Sequence, residues 1–277
     1  MSRISTGALV VATMLGAIAT ASLAARLVLD RQAAQARRVI GKPLGEDALE
    51  ADRIWRRKFE GDPIDLLVLG DSIAAGLGAQ RRKETLGARL AIGLAKKAKR
   101  PVRLRTAAVV GSESAALHAQ VAELAGDYRP DVAVIVVGGN DITHRVPVST
   151  SVRHLVEAVH QLRARGAQVV VGSCPDLGAL RPVPQPLRTL GSRMSRQLAD
   201  AQEQAAVDAG AYAVSLRHAV GPFFISQPDE MFSLDRFHPS PLGYRRTAEA
   251  LLPAVAGALG YGRMSAATRQ PRVEVPV

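Results

Sequence analysis

The sequence predicts an α/β protein with a parallel sheet covered by helices on both faces, and three observations carry that expectation. Between about residues 63 and 260, short β-branched runs alternate with longer amphipathic ones. The short runs hold Val and Ile on both faces instead of alternating with polar residues, the pattern of strands buried from two sides. The chain of 277 residues is 47% apolar but only 4% aromatic, so alanine-rich helices on valine-rich strands must supply the packing of one large core.

Taken in order, Ile64–Leu69 reads as a buried strand and Glu84–Lys99 as a helix. Val102–Val110 and Ser114–Leu124 form the next strand–helix pair, then Val132–Val137 and Ser149–Arg165. Gln168–Gly172 is a fourth strand before a long helix over Arg188–Ala209. Ala213–Ser215 is a short last strand, and Ser240–Leu259 the closing helix. In an open parallel sheet the ligand site lies beyond the carboxyl ends of the strands. The loops after each strand are therefore where chemistry is expected.

Ahead of this domain, Ile4–Ala25 holds 22 residues without a charge. That length crosses a hydrocarbon core of about 30 Å as a helix, and its small residues (Ala19, Thr20, Ala21, Ala24, Ala25) also suit a signal-peptidase site. Residues 1–25 thus read as a signal peptide or a transmembrane anchor. Arg26, Arg31, Arg37 and Arg38 follow the segment, and the positive-inside tendency alone would keep the downstream part cytoplasmic. A cleaved signal removes that conflict, so export to the cell envelope or beyond is the expectation. Residues 26–62 read as a juxtamembrane helix and linker, with Trp55 and Phe59 packing back on the domain, and 261–277 as a flexible tail.

The formal net charge is +11, of which residues 1–62 carry +3 and the remainder +8, so the excess is spread through the folded region. No basic element interleaved with aromatics appears, which argues against nucleic acid as a partner. The single cysteine, Cys174, allows no intrachain disulfide. No Cys/His spacing resembles a zinc site, and no cofactor is implied.

Four loop segments fall at strand ends or in the last loop. Gly70-Asp71-Ser72-Ile73-Ala74-Ala75-Gly76 follows the first strand and puts a serine at a helix start, where developing negative charge is favoured. Alone it reads equally as a phosphate loop or an ordinary N-cap, although no lysine follows at the phosphate-loop spacing. Gly111-Ser112-Glu113-Ser114 offers an unobstructed glycine N–H, and alone is an ordinary turn. Gly138-Gly139-Asn140-Asp141 offers uncharged amide donors suited to a polarised carbonyl oxygen, against a plain Gly-Asn turn. Asp235-Arg236-Phe237-His238-Pro239 puts a carboxylate three residues before an imidazole, close enough to fix its tautomer, and alone is more often a structural turn.

Together the four segments resemble the SGNH hydrolases, the GDSL esterase/lipase family, over about Ile64–Leu259. The resemblance implies a flavodoxin-like three-layer α/β/α sandwich around a five-stranded parallel sheet. It implies a nucleophile at Ser72, an acid–base pair in Asp235 and His238, and an oxyanion hole of the Ser72 and Gly111 N–H groups with the Asn140 side chain. The leucine usual after the GDS block is Ile73 here. The implied activity is hydrolysis of carboxylic esters, on a small-molecule, lipid or sugar ester. An acyltransferase on the same residues and a non-catalytic ligand-binding module are the alternatives. The short loops Thr143–Val148 and Leu177–Leu187, the second stiffened by Pro182, Pro184 and Pro186, suggest a shallow cleft and short acyl chains. Asp71 is expected to brace the serine turn, and Asp141 to do the same for Asn140 or bond its own loop. Cys174 is expected to be buried, and His144 to be a rim or packing residue.

Overall fold

A computed structural model describes residues 2–271, with side chains from residue 19 onward. In chain order the elements are α1 (Ser2–Ile40), β1 (Ile54–Trp55), β2 (Ile64–Gly70), α2 (Ser72–Ala75), α3 (Leu86–Ala98), β3 (Val102–Thr106), α4 (Leu117–Ala122), β4 (Val132–Val136) and α5 (Gly139–Thr143). They continue as α6 (Val148–Ala164), β5 (Gln168–Gly172), α7 (Leu187–Asp208), β6 (Tyr212–Val214), α8 (Leu216–Ala219), α9 (Gly221–Ser226), α10 (Pro228–Met231), α11 (Pro241–Ala258) and β7 (Thr268–Arg269).

The strands form one sheet in the order β1-β3-β2-β4-β5-β6-β7. The five central strands are parallel, as the β-branched runs predict. The expectation of five strands needs correction, because the sheet has seven and is mixed. β1 pairs antiparallel with β3 at one edge, and β7 with β6 at the other. These strands come from the expected linker and the expected tail, and each has two residues, too few to carry a periodic signal. Both cover backbone groups that the outer parallel strands would otherwise leave unpaired.

Strand side chains alternate between two cores. Leu66, Val68, Val132, Val134 and Val136 pack on the side of α3 and α11, where Leu86, Leu90, Leu94 and Leu251 are buried. Leu67, Leu69, Ala133 and Ile135 pack on the other side with Leu117, Leu155, Leu162 and Ala206. The period of two, with both faces apolar, is why these strands read as continuous hydrophobic runs.

The expected N-terminal helix and juxtamembrane helix are one continuous helix, α1. Its last turns dock on the domain: Arg145 donates to Asp30 at 3.0 Å, and the Leu187 N–H donates to Gln32 at 3.1 Å. Among the described residues no helix is long and apolar enough to cross a membrane. Most of the apolar Ile4–Ala25 run has its side chains outside the described residues.

Gly70 closes β2 opposite Val136 of β4, with φ +129°. A Cβ there would sit 1.9 Å from the Val136 carbonyl oxygen. Backbone at this separation, in a conformation that disfavours L side chains, has no room for a methyl. Gly70→Ala should lower unfolding free energy by about 3 kcal/mol or more, read from urea denaturation of the purified protein.

Candidate active site

The Ser72 turn begins where β2 ends. The Asp71 N–H donates to the Val136 carbonyl at 3.1 Å, tying the turn to the neighbouring strand. The Asp71 side chain then accepts from the Ile73 N–H at 2.9 Å and caps α2, so the expected bracing role is what the geometry has. Gly76, in the left-handed region, ends the single turn of helix. Ser72 is therefore the first residue of α2, and its own N–H is one of those a helix start leaves without an intrahelical partner.

The last loop brings its residues to this turn from the far end of the chain. His238 Nε2 lies 2.9 Å from Ser72 Oγ, a contact across 166 positions. His238 Nδ1 lies 2.5 Å from Asp235 Oδ2. The other Asp235 oxygen accepts from Ser233 Oγ at 2.9 Å and from the Phe237 and His238 N–H groups, each at 3.0 Å. Burial pushes the Asp235 carboxyl up, but the imidazole and the two backbone N–H groups outweigh it and hold the group below its ordinary value. The loop itself is pinned at both ends, with the Ser233 N–H donating to the His238 carbonyl and the Ser240 N–H to that of Met231, each at 2.8 Å. Ser240 caps α11 through the Leu242 and Gly243 N–H groups, as its place before the closing helix suggests.

Asn140 lies in the first turn of α5 and lines the same cleft as Ser72 and His238. One hydrogen of its side-chain amide goes to the Ser112 carbonyl at 2.9 Å, which fixes the amide and leaves the second hydrogen for a ligand. That bond also ties the Asn140 turn to the loop holding Gly111. Gly111 has φ +84° and open space where a side chain would be. It does not itself line the cleft, and it joins the site through its neighbour Ser112.

Several supports were not visible in the sequence. Gln120, buried on α4, accepts from the Gly70 N–H at 2.9 Å and donates to the Gly70 carbonyl at 2.8 Å. A polar residue beside the apolar Leu117 and Val121 on one helical face was its only signal. Asp141 braces neither Asn140 nor its own loop through its side chain. It crosses to the Ser114 N–H at 3.0 Å and the Ser151 hydroxyl at 2.6 Å, joining the second loop to α6. His144 meets Glu113 at 2.6 Å, a second tie between the Gly111 and Asn140 loops. Cys174 is fully buried as expected, and burial first, then Asp71, Asp141 and Asp176, pushes its thiol well above the ordinary value.

The cleft beside Ser72 is walled mainly by apolar side chains, among them Leu177, Leu180, Val220, Phe224, Phe232 and Phe237. An apolar cleft with a hydroxyl, an imidazole and an amide donor at one end suits a substrate with a hydrocarbon part and a polarised carbonyl.

The fold and the site together define a carboxylic ester hydrolase of the SGNH type. Residues 68–246 match the model of the GDSL-like lipase/acylhydrolase family, and the chain belongs to that family. Over 270 residues it is 41% identical to the GDSL-like esterase Rv1075c of Mycobacterium tuberculosis (strain ATCC 25618 / H37Rv), spanning 94% of this chain and 85% of that one. Among solved structures it is similar to TesA, at 25% identity and a TM-score of 0.55, covering 70% of this chain and 99% of TesA. It shares the fold of Axe2, an acetylxylan esterase from Geobacillus stearothermophilus, at 19% identity and a TM-score of 0.56, covering 75% and 100% of the two chains.

Asp71 makes a pH prediction. Burial raises its carboxyl to about 6, against the lowering effects of the Ile73 N–H and of His238. The folded protein thus holds a proton there that the unfolded chain, with an ordinary aspartate near 3.8, has released. The stability tied to that proton is present below about 4 and is lost as pH rises through about 6. Asp71→Asn, which keeps an N-cap acceptor, should flatten the stability profile between these values, as measured by denaturation midpoints across pH.

Proposed function

We propose that Ser72 is the nucleophile of a two-step ester hydrolysis, with His238 as general base and Asp235 as its orienting partner. What supports this reading is the unbroken line of contacts Ser72 Oγ–His238 Nε2 at 2.9 Å and His238 Nδ1–Asp235 Oδ2 at 2.5 Å, assembled from opposite ends of the domain. His238 accepts the Ser72 proton as the hydroxyl oxygen attacks the ester carbonyl. Asp235, held as a carboxylate, favours the imidazolium so formed. The new oxyanion takes hydrogen bonds from the Ser72 N–H and the free amide hydrogen of Asn140, while the Gly111 loop, set back from the cleft, serves through the Ser112 carbonyl that orients that amide. His238 passes its proton to the leaving alcohol, and water then repeats the sequence on the acyl-enzyme, restoring the free hydroxyl.

The acyl group in this reading is short. The cleft is apolar, and the Leu177–Leu187 loop, which gives Leu177, Ala179 and Leu180 to its wall, is brief, as is Thr143–Val148 beyond Asn140. The domain in this reading is exported, with residues 1–25 as signal or anchor, which is supported by the uncharged Ile4–Ala25 run and the small residues that close it.

Ser72→Ala and His238→Ala should each lower kcat on a p-nitrophenyl ester by about 10⁴–10⁶, and Asn140→Ala by about 10²–10³. A Ser72→Ala enzyme of near wild-type rate overturns the nucleophile assignment. Across p-nitrophenyl esters from acetate to palmitate, kcat/KM should peak at the short end, and turnover confined to long chains contradicts the short-acyl reading. A reporter fused after Val277, with N-terminal sequencing of the mature protein, should find the domain outside the cytoplasm.

A further inference from the structure

A second cleft lies against the first, lined by Arg181, Pro182, Pro228, Asp229, Phe232 and Arg236. Phe232 belongs to both, so one aromatic ring separates the apolar cleft beside Ser72 from a cleft walled by two guanidinium groups. That ring packs edge-on against Phe224, with centroids 4.9 Å apart. We propose that this second cleft is a subsite for a carboxylate or phosphate group on the substrate, so that the enzyme prefers esters carrying an anion away from the scissile bond. The proposal rests on the ester-hydrolase reading of Ser72 given above.

Three observations carry it. The cleft holds two positive charges against the single Asp229, and among the described residues neither guanidinium is paired with a carboxylate. Among the described residues Arg181 makes a single polar bond, a long one of 3.5 Å to the Ile225 carbonyl, which leaves most of its donors open. Arg236, between Asp235 and His238, is exposed and lines the cleft from the side of the loop that carries them. Its turn is closed by the Arg236 N–H donating to the Ser233 carbonyl at 2.9 Å. The fork geometry of arginine matches carboxylate and phosphate oxygens in pairs, which a lone surface lysine would not. The geometry fits an anion on either side of the ester bond, so both substrate types belong in the test.

The acyl arm compares p-nitrophenyl monoadipate with p-nitrophenyl hexanoate, and the alcohol arm compares 4-acetoxybenzoate with phenyl acetate. For each pair the ratio of kcat/KM, anionic over neutral, is measured at low and at high salt in the wild type, Arg181→Ala, Arg236→Ala and the double variant. In at least one arm the ratio should fall about threefold for each arginine removed and about tenfold for both, the scale of an exposed charge pair per guanidinium. Salt should lower the ratio in the wild type and have less effect in the double variant. The arm that responds identifies which side of the ester bears the anion. Arg236 shares a loop with Asp235 and His238, so Arg181→Ala alone must also lower the ratio; a fall confined to Arg236→Ala overturns the subsite. Unchanged ratios in both arms, with hydrolysis of the neutral esters intact, overturn the subsite and leave the hydrolase reading standing. Absence of hydrolysis for all four esters overturns both.

Discussion

The close approach of β2 and β4 at their carboxyl ends is the constraint on which the site depends. Gly70 faces Val136 in register, with no room for a side chain between them. That seam delivers two loops to one place: the turn carrying Ser72 from β2, and the turn carrying Asn140 from β4. The Asp71 N–H reaching the Val136 carbonyl fixes their separation, and Gln120 bonds both the N–H and the carbonyl of Gly70 from the helical layer below. A wider seam would hold the serine and the amide on separate ledges, and a side chain at Gly70 would force that separation.

Around this seam lies a set of buried polar side chains that the hydrophobic pattern alone would not call for. Asp71, Asp141, Gln120, Gln202 and Glu203 are all buried, and all have partners. Gln202 of α7 accepts from the Cys174 N–H at 2.8 Å and donates to the Val137 carbonyl at 3.1 Å, pairing backbone groups just past the ends of β4 and β5. These bonds satisfy loop backbone that leaves the sheet ladder before it reaches water, where an unpaired group is costly. They also explain why the loops hold their shape without a disulfide.

β4 and β5 were legible because each is a β-branched run buried on both faces, and Gln168–Gly172 was placed to the residue, whereas β3, with Arg103 exposed, ends at Thr106, four residues short of the expected Val110. The helices α3, α6, α7 and α11 were legible from amphipathic spacing, within two residues of their ends. The edge strands and the short helices α8, α9 and α10 were not, since two to six residues carry no period, and their positions follow from what the sheet edge and the cleft leave uncovered. In the candidate site, Ser72 and His238 were picked out only by the four loop segments taken together and their resemblance to one family, since each segment alone reads as an ordinary turn or cap. Residues that act across elements were not picked out. Asp141 reaching Ser151, His144 reaching Glu113, and Arg181 sharing a cleft with Arg236 each depend on a distance that only the folded sheet sets.

The loop bearing Asp235 and His238 is closed on itself, with its carboxylate bonded to its own backbone and its two ends joined by backbone bonds. Asp235 and His238 therefore travel as one cassette, and no displacement of the closing helix can stretch one from the other without first dismantling the loop. Only the gap to Ser72 is free to vary. Tyr244, one turn further along α11, spans that gap from behind by donating its hydroxyl to the Leu77 carbonyl at 2.7 Å, so the helix that carries the cassette is moored to the segment that follows the serine. Arg89 of α3 adds a second tie by donating to the Pro241 carbonyl at 2.9 Å, so the reach from the closing helix to the serine turn is set from two sides.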